Sequence, residues 1–464
     1  MRLLCFLVAL CPLFSALAAQ PNILFIAADD LKPVLGCYGD KTAITPNIDK
    51  LAARGTVFSK AYCQWPVCGP TRASLMTSLR PEASGVMDLK TNVRAKNPDV
   101  ITLTQHFMAH GYTAAGCGKI YDPRCVDNKK DCDKLSWSLP FVTPNAKNAN
   151  AEHEDGAAAF AIAEGGDDDQ MDGQIALAGM ELMKKLAVDK KPFFLAVGFK
   201  KPHLPFFAPK QYWDLYQRDQ MPVAGYQGGI SHDSGYALHD SPEFRGYGTV
   251  PKTGLFSEAL QREALHGYYA CVSFVDAQVG RLLAQLDELG LAEDTIIVLW
   301  GDHGFHLGDH GMWGKHSTLE QAARVPLIVA APKGSTVRMN DSPVEFTDIF
   351  PTLCTLSGLP LPTGIAGRTL EPLLTGAEKS VREGALTVFK NKGSIGYSYR
   401  TDRYRYTEWV NKFGKTIATD LFDYETDPQE SKNLATDPSL ADRAKSLAGS
   451  LRRDGQGCEL LSRK

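Results

Sequence analysis

The sequence predicts an α/β protein: a mostly parallel sheet flanked by helices, followed by a smaller antiparallel-sheet subdomain. Three observations predict it. Short, continuously apolar runs recur between residues 22 and 330, the mark of strands buried on both faces. Helical stretches separate them, as a parallel sheet requires of its connections. From about residue 376 the runs give way to alternating apolar and polar residues, the pattern of antiparallel strands with unlike faces.

Residues 1–19 read as an export signal. Met1-Arg2 is a basic start, residues 3–17 are apolar apart from Pro12 and Ser15, and Leu17-Ala18-Ala19 before Gln20 is a small-residue cleavage site. The apolar stretch is short for a membrane span. The expected protein is therefore exported, to the periplasm or the extracellular space (the lysosome in a eukaryote), with no stable membrane insertion after cleavage. The main body follows over residues 20–375. Its buried strands are predicted at 22–28, 193–199, 295–300 and 326–330. An amphipathic helix is predicted from about Glu263 to Leu289, with Tyr269, Val272, Val275, Val279, Leu282, Leu283 and Leu286 at helical spacing. Residues 124–260 are less regular. Residues 145–169 read as a surface loop, and 211–253 as a lid or binding segment. The subdomain spans 376–464, with strands at 385–389, 394–399 and 403–409, a turn at 411–415 and a polar closing helix.

Composition narrows the function. Of 464 residues, 44% are apolar and 22% charged, which excludes general disorder and collagen-like structure. The 50 basic and 53 acidic residues leave a net charge of −3, so there is no basic field for a nucleic acid. Signal cleavage would remove Cys5 and Cys11 from the 11 cysteines and leave an odd number. One thiol must then stay free, pair between chains or do chemistry. Cys125 and Cys132 flank a short polar loop and form the expected disulfide. Cys37, Cys117, Cys271 and Cys354 sit in apolar or glycine-rich stretches suited to buried thiols.

Three predicted strands end in polar clusters: Asp29-Asp30, then Lys200-Lys201-Pro202-His203, then Gly301-Asp302-His303-Gly304. Ligands bind outside the carboxyl ends of strands in open parallel sheets, so these clusters are expected to converge. Asp29, Asp30 and Asp302 suit a hard divalent cation such as Ca²⁺ or Mg²⁺, and His303 leaves Mn²⁺ or Zn²⁺ open. Cys68 precedes a helix predicted over 73–79, with Thr71 or Pro70 near its start. Free N–H groups and the helix dipole there favour an anion and activate a cysteine. Arg72 adds a planar fork for an oxyanion.

Cys68-Gly69-Pro70-Thr71-Arg72 resembles the Cys-x-Pro-x-Arg signature of the type I, formylglycine-dependent sulfatases. Residues 111–121 resemble their second signature, and Asp29, Asp30, Asp302 and His303 their metal ligands. The resemblance runs along nearly the whole chain after the signal, through residues 347–353 and 420–434. Asp29-Asp30-Leu31-Lys32-Pro33, Lys201-Pro202-His203-Leu204-Pro205-Phe206 and His303 make the iduronate-2-sulfatase branch the most similar. The resemblance implies an alkaline-phosphatase-like fold, with residues 20–375 as the catalytic domain. It also implies one Ca²⁺ per chain, held by Asp29, Asp30, Asp302, His303 and residue 68. Cys68 would be oxidised to formylglycine by a formylglycine-generating enzyme. One hydroxyl of the hydrated aldehyde would attack sulfur, and the other would expel sulfate. Arg72 would stabilise that hydrate, Lys119 and Lys315 would clamp the sulfate, and His203 would protonate the leaving alcohol.

One position departs from the family pattern. The second signature carries a histidine two or three residues after its lysine, where this chain has Tyr121 and Asp122. Asp122, or one of His306, His310 and His316, is expected to replace it as base. His306 and His310 are expected to pack or edge the substrate rather than bind a second metal. The implied substrate is a sulfated saccharide, uronate 2-sulfate first and sulfated galactose or rhamnose second. Residues 204–250, Arg400 to Arg403 and Trp409 are expected to shape the sugar pocket. The rival readings are a phosphatase or phosphodiesterase of the same superfamily and an inactive glycan-binding relative.

Overall fold

The computed structural model describes residues 20–127, 132–147, 157–332 and 334–462. The signal predicted over 1–19, most of the loop between Cys125 and Cys132, and residues 148–156 of the loop predicted at 145–169 lie outside the described residues. Among the described residues, no helix is long and apolar enough to cross a membrane.

A seven-stranded sheet forms the centre. Its strands are β1 (Asn22–Asp29), β2 (Thr56–Phe58), β3 (Thr113–Gly118), β4 (Phe193–Pro202), β5 (Thr295–Gly301), β6 (Leu327–Ala330) and β7 (Met339–Asn340). Their order is β7-β2-β6-β5-β1-β4-β3. The run β5-β1-β4-β3 is parallel throughout, so the carboxyl ends of four neighbouring strands share one edge. β6, predicted among the parallel strands, is instead antiparallel to β5 and β2. Its apolar run reports burial on both faces and carries no information on direction. The chain between β5 and β6 stays at the site edge and re-enters the sheet from there, without a crossover.

Alternate residues of β1 face opposite cores. Leu24, Ile26 and Ala28 join one apolar cluster, and Ile23, Phe25 and Ala27 join the other, as the period of two requires. Helices α1 (Pro46–Arg54), α3 (Met171–Val188) and α4 (Glu258–Glu288) cover the first face. Helix α2 (Cys68–Thr77) covers the second. α4 starts earlier than the periodicity suggests, because Ser257 caps it by accepting the Leu260 N–H at 3.3 Å. Its Val272, Val275, Val279, Leu282 and Leu286 are all buried, each contributing roughly 1.5–3 kcal/mol.

The C-terminal subdomain is a four-stranded antiparallel meander: β8 (Gly384–Asn391), β9 (Ser394–Thr401), β10 (Tyr404–Val410) and β11 (Thr416–Asp423). β11 escaped the sequence reading because its first half is a half-exposed edge with no buried apolar face. Helix α5 (Ala441–Asp454) closes the subdomain through Leu447 and Leu451. That core also takes in Trp65 and Val67, which precede Cys68. β8 pairs with the same segment: the Val388 N–H donates to Gln64 O at 2.8 Å and the Thr387 hydroxyl to Cys63 O at 2.7 Å.

The disulfide predicted between Cys125 and Cys132 is not made. Both thiols are free, as are Cys37, Cys63, Cys68, Cys117 and Cys354. Burial pushes the Cys125 and Cys132 thiols up to about 12, so neither is reactive at neutral pH. Cys117, Cys271 and Cys354 are buried, as their surroundings predict, whereas Cys37 is half-buried.

Candidate active site

The three polar strand ends converge at the shared edge. Beyond β1 the backbone turns through Asp30 at φ 60°, a left-handed conformation that aspartate tolerates better than most residues. The Asp30 N–H donates to Asp302 Oδ1 at 2.9 Å, and the Asp302 N–H to Ala28 O at 3.2 Å. From α4, the Tyr268 hydroxyl donates to Asp30 O at 2.7 Å and accepts the Lys32 N–H at 3.0 Å. The turn that aims both aspartates is thus locked by a strand on one side and a helix on the other.

Helix α2 starts at Cys68 itself, earlier than the predicted 73–79, and ends at Thr77. Pro70 lies within its first turn, where a missing N–H costs nothing. Cys68 therefore sits at the electropositive end of a ten-residue helix that is buried on all sides. Its Sγ is 3.3 Å from His303 Nε2 and 3.9 Å from Lys315 Nζ. Burial, aided by Asp29, raises the Cys68 thiol well above its ordinary range, although Lys119 and Lys315 oppose this.

Arg72 lies behind the site. Fully buried, it donates from Nε to Asp302 Oδ2 at 2.9 Å, from Nη2 to Asp29 Oδ1 at 3.3 Å, and from Nη1 to the carbonyls of Lys119 and Ile120. It does not line the active-site cavity, so its direct partners are the acidic residues and not an oxyanion. Lys119 Nζ pairs with Asp29. Lys315 Nζ contacts both Asp30 oxygens, at 2.9 and 3.0 Å. Two buried cations and the half-buried Lys119 thus face three buried carboxylates. Burial alone would raise the Asp29 carboxyl, yet Lys119, His203 and Arg72 hold it well below the usual carboxylate range.

These residues fit a divalent cation. Ligand atoms of Asp29, Cys68, Asp302 and His303 all lie within 4.8 Å of one another. His303 Nε2 is 3.2 Å from Asp30 Oδ1 and 3.6 Å from Asp302 Oδ1. Buried oxygen donors from several aspartates form a hard donor set, and one imidazole completes it. His203 stands across from them, 3.9 Å from Asp30 Oδ2, its Nδ1 donating to Leu204 O at 2.6 Å. The cavity above measures about 820 Å³ and is lined by Asp29, Cys68, Lys119, His203, Lys315 and Asp122, among others.

Comparison with known proteins decides the family. A family model described as Sulfatase matches residues 21–359, and one described as N-sulphoglucosamine sulphohydrolase, C-terminal, matches residues 308–456. The chain belongs to the sulfatase family. It is 30% identical to the iduronate 2-sulfatase of Mus musculus over an alignment of 502 positions, covering 90% of this chain and 91% of that one. A protein solved with its substrate D-glucosamine-2-N,6-O-disulfate superposes with a TM-score of 0.76 at 21% identity, over 96% of this chain and 99% of that one. The phosphonate monoester hydrolase of Agrobacterium radiobacter superposes with a TM-score of 0.79 at 23% identity, over 95% and 96%. At such identities these two likenesses show the fold. This sulfatase is a sulfuric ester hydrolase.

The sulfatase cavity differs from the predicted sugar pocket. Leu204, Glu243 and Tyr247 do line it, from within the segment predicted at 204–250. Arg400 and Trp409 do not. Arg400 is buried against Glu320, and the Trp409 indole donates to Asp420 at 2.7 Å inside the subdomain sheet. His306 is buried on Ser317, and His310 contacts Gly228 O, so both are held by packing contacts. Arg124 and Glu243 line the cavity without having been singled out in the sequence, and Lys200, named there only within its strand-end cluster, joins them. Arg124 could have been found beside the Asp122 departure, since it grips that carboxylate through two bonds of 2.9 and 2.7 Å.

Proposed function

We propose that this sulfatase desulfates an acidic sugar of a sulfated polysaccharide, with a uronate 2-sulfate as first substrate class, using formylglycine at position 68 and one Ca²⁺, after export. The reading rests most on the charge pattern of one cavity. Lys119 and Lys315 flank Cys68 and suit the oxygens of a sulfate, while Lys200 supplies a further positive charge suited to a neighbouring carboxylate, Arg124 being spent on Asp122. Lys200 has no ion-pair partner among the described residues. The similarity to an iduronate 2-sulfatase supports the same choice.

A cation held by Asp29, Asp30, Asp302 and His303, together with formylglycine made from Cys68 by a formylglycine-generating enzyme, would supply charge stabilisation and the nucleophile. The chain's own side chains do the rest. Arg72 orients Asp29 and Asp302. The lysines neutralise sulfate charge, and His203 hands a proton to the leaving alcohol. Of the four candidates for the missing base, Asp122 and His316 line the cavity. Burial raises the Asp122 carboxyl, but the Arg124 fork and Lys119 hold it below its ordinary range, charged and weakly basic. Burial and then Lys315 bring His316 down to about 4, so it is a neutral acceptor, and its Nδ1 has no partner among the described residues. Both are weak bases, but Asp122 is already held by Arg124 and His316 is not, so the role goes to His316. Single-turnover sulfate release should slow in His316→Gln and hold in Asp122→Asn; the reverse pattern would return the role to Asp122.

The substrate is tested by sulfate release from a panel of sulfated oligosaccharides with formylglycine-converted protein. Release from uronate 2-sulfates is expected, and none from any of them would overturn the choice. Chelation should abolish turnover and Ca²⁺ should restore it; recovery with Zn²⁺ or Mn²⁺ but not Ca²⁺ would overturn the metal assignment.

A further inference from the structure

Glu243 has no task in the reaction described so far, yet its carboxylate faces two groups of that reaction at once. Oε1 lies 3.4 Å from His203 Nε2, and Oε2 lies 3.2 Å from Lys315 Nζ. The contact to Lys315 joins a pair on elements far apart in sequence, and it is braced from behind. Phe244 is fully buried, stacks on Trp313 with centroids 5.1 Å apart and also meets Phe206 and Phe256. Ser241 Oγ accepts the Trp313 N–H at 2.8 Å. His239 accepts the Ser241 N–H on Nδ1 at 2.9 Å and donates from Nε2 to Lys315 O at 2.7 Å. The backbones on either side of Glu243 and of Lys315 are therefore one unit.

His203 is held from its other edge. Its Nδ1–H is committed to Leu204 O, which leaves Nε2 as the nitrogen facing the cavity. The loop beneath it is stapled, with Asp172 accepting the N–H groups of Lys200 and Lys201, both at 2.8 Å. A carboxylate on one edge of an imidazole and a carbonyl on the other fix the plane of the ring.

We propose that Glu243 is the positioning residue of the proton donor, holding His203 Nε2 toward the leaving oxygen of the sulfate ester while it bridges to the sulfate-binding Lys315. The proposal rests on the reading of His203 given above. In that step the Nε2–H bond breaks and an O–H bond forms on the leaving oxygen. The S–O bond breaks with its electron pair going to that oxygen, and the sulfuryl group passes to the nucleophile at position 68. Glu243 neither gains nor loses a proton.

The test is leaving-group dependence. A proton donor matters little for a good leaving group and greatly for a poor one. Formylglycine-converted wild type, Glu243→Gln, Glu243→Asp, His203→Gln and the Glu243→Gln/His203→Gln double variant are assayed on 4-nitrophenyl sulfate and on phenyl sulfate. Glu243→Gln should lose on the order of 10²-fold more kcat/KM on the phenyl ester than on the nitrophenyl ester, within the range general acid catalysis contributes. Glu243→Asp should recover part of that loss, and the double variant should be no worse than His203→Gln alone. Equal loss on both esters, or a further loss in the double variant, would overturn the proposal and mark Glu243 as a substrate-binding or purely structural group. If Glu243→Gln fails to fold, the same split between esters is read in Glu243→Asp, where equal loss again overturns it. His203→Gln without leaving-group dependence would remove the donor reading itself. A wild type that turns over neither these esters nor any sulfated oligosaccharide of the panel would remove the reading on which both stand.

Discussion

Arg72 spends its guanidinium inside the protein. It touches Asp302, Asp29 and the carbonyls of Lys119 and Ile120, and its guanidinium carbon lies 5.3 Å from the ring centre of Trp300. Its residue type in the Cys-x-Pro-x-Arg pattern was legible, but the direction of its side chain was not. An arginine four residues into a helix can face a ligand or face the core, and only the position of β5 decides which. Arg72→Lys keeps the charge and loses the planar fork. Some of these buried acceptors would then go unpaired, so a loss of about 3 kcal/mol in denaturant unfolding is expected, at the low end for breaking a buried pair. Turnover should fall on the order of 10²-fold, the usual scale for misplacing a reacting group by about 1 Å. Unchanged turnover would show that Asp29 and Asp302 are aimed without it.

Among the elements, β3 and β4 approach each other closely. A Cβ on Gly198 would lie 2.1 Å from the Lys119 carbonyl oxygen, and one on Gly118 would lie 2.1 Å from Gly198 O. This contact brings the Lys119 N–H to Gly198 O at 2.7 Å and so sets where the Lys119 side chain starts. Gly198→Ala should force the strand ends apart, costing about 1–3 kcal/mol as overpacking does. It should raise KM for sulfate esters more than it affects a distant property such as the unfolding of the subdomain. A steady-state KM within error of wild type would refute this. The strands with strong apolar runs, β1, β4 and β5, could be read directly. β3 could not, because Thr113 to Gly118 are small and carry little apolar signal; Gly116 must stay bare beneath Trp137 and Phe141. The start of α2 was missed for a related reason: Val67 offers no side-chain cap to mark it.

Across the whole molecule, the subdomain holds the segment leading to Cys68 and shares an ionic cluster with the main body. Arg405 donates to Glu320 and to Glu430, at 2.8 Å in the second case, and Arg400 lies 3.3 Å from Glu320. Burial would raise the Glu320 carboxyl, but Arg400 and Arg405 bring it down to about 2. A carboxyl depressed in the folded state stabilises the fold above its unfolded value and loses that contribution as the pH falls toward the folded value. Glu320 should therefore add on the order of 3 kcal/mol at neutral pH, fading between about pH 4.5 and pH 2. Urea unfolding of wild type and Glu320→Gln should differ clearly at pH 7 and converge as the pH falls through that window; an equal gap at both ends would refute the assignment.

The sequence by itself determined the α/β class, the strands that carry the site, the chemical types gathered at their ends and the sulfatase family. Burial and motif spacing are properties of a short window, so they can be read along the chain. Strand direction at β6, the inward turn of Arg72, the two free thiols at Cys125 and Cys132, and the removal of Arg400 and Trp409 from the cavity were decided only by the tertiary structure. So was the meeting of Glu243 with His203 and Lys315. Each depends on which distant segment packs opposite, and a contact between residues scores apart in sequence leaves no periodicity to read.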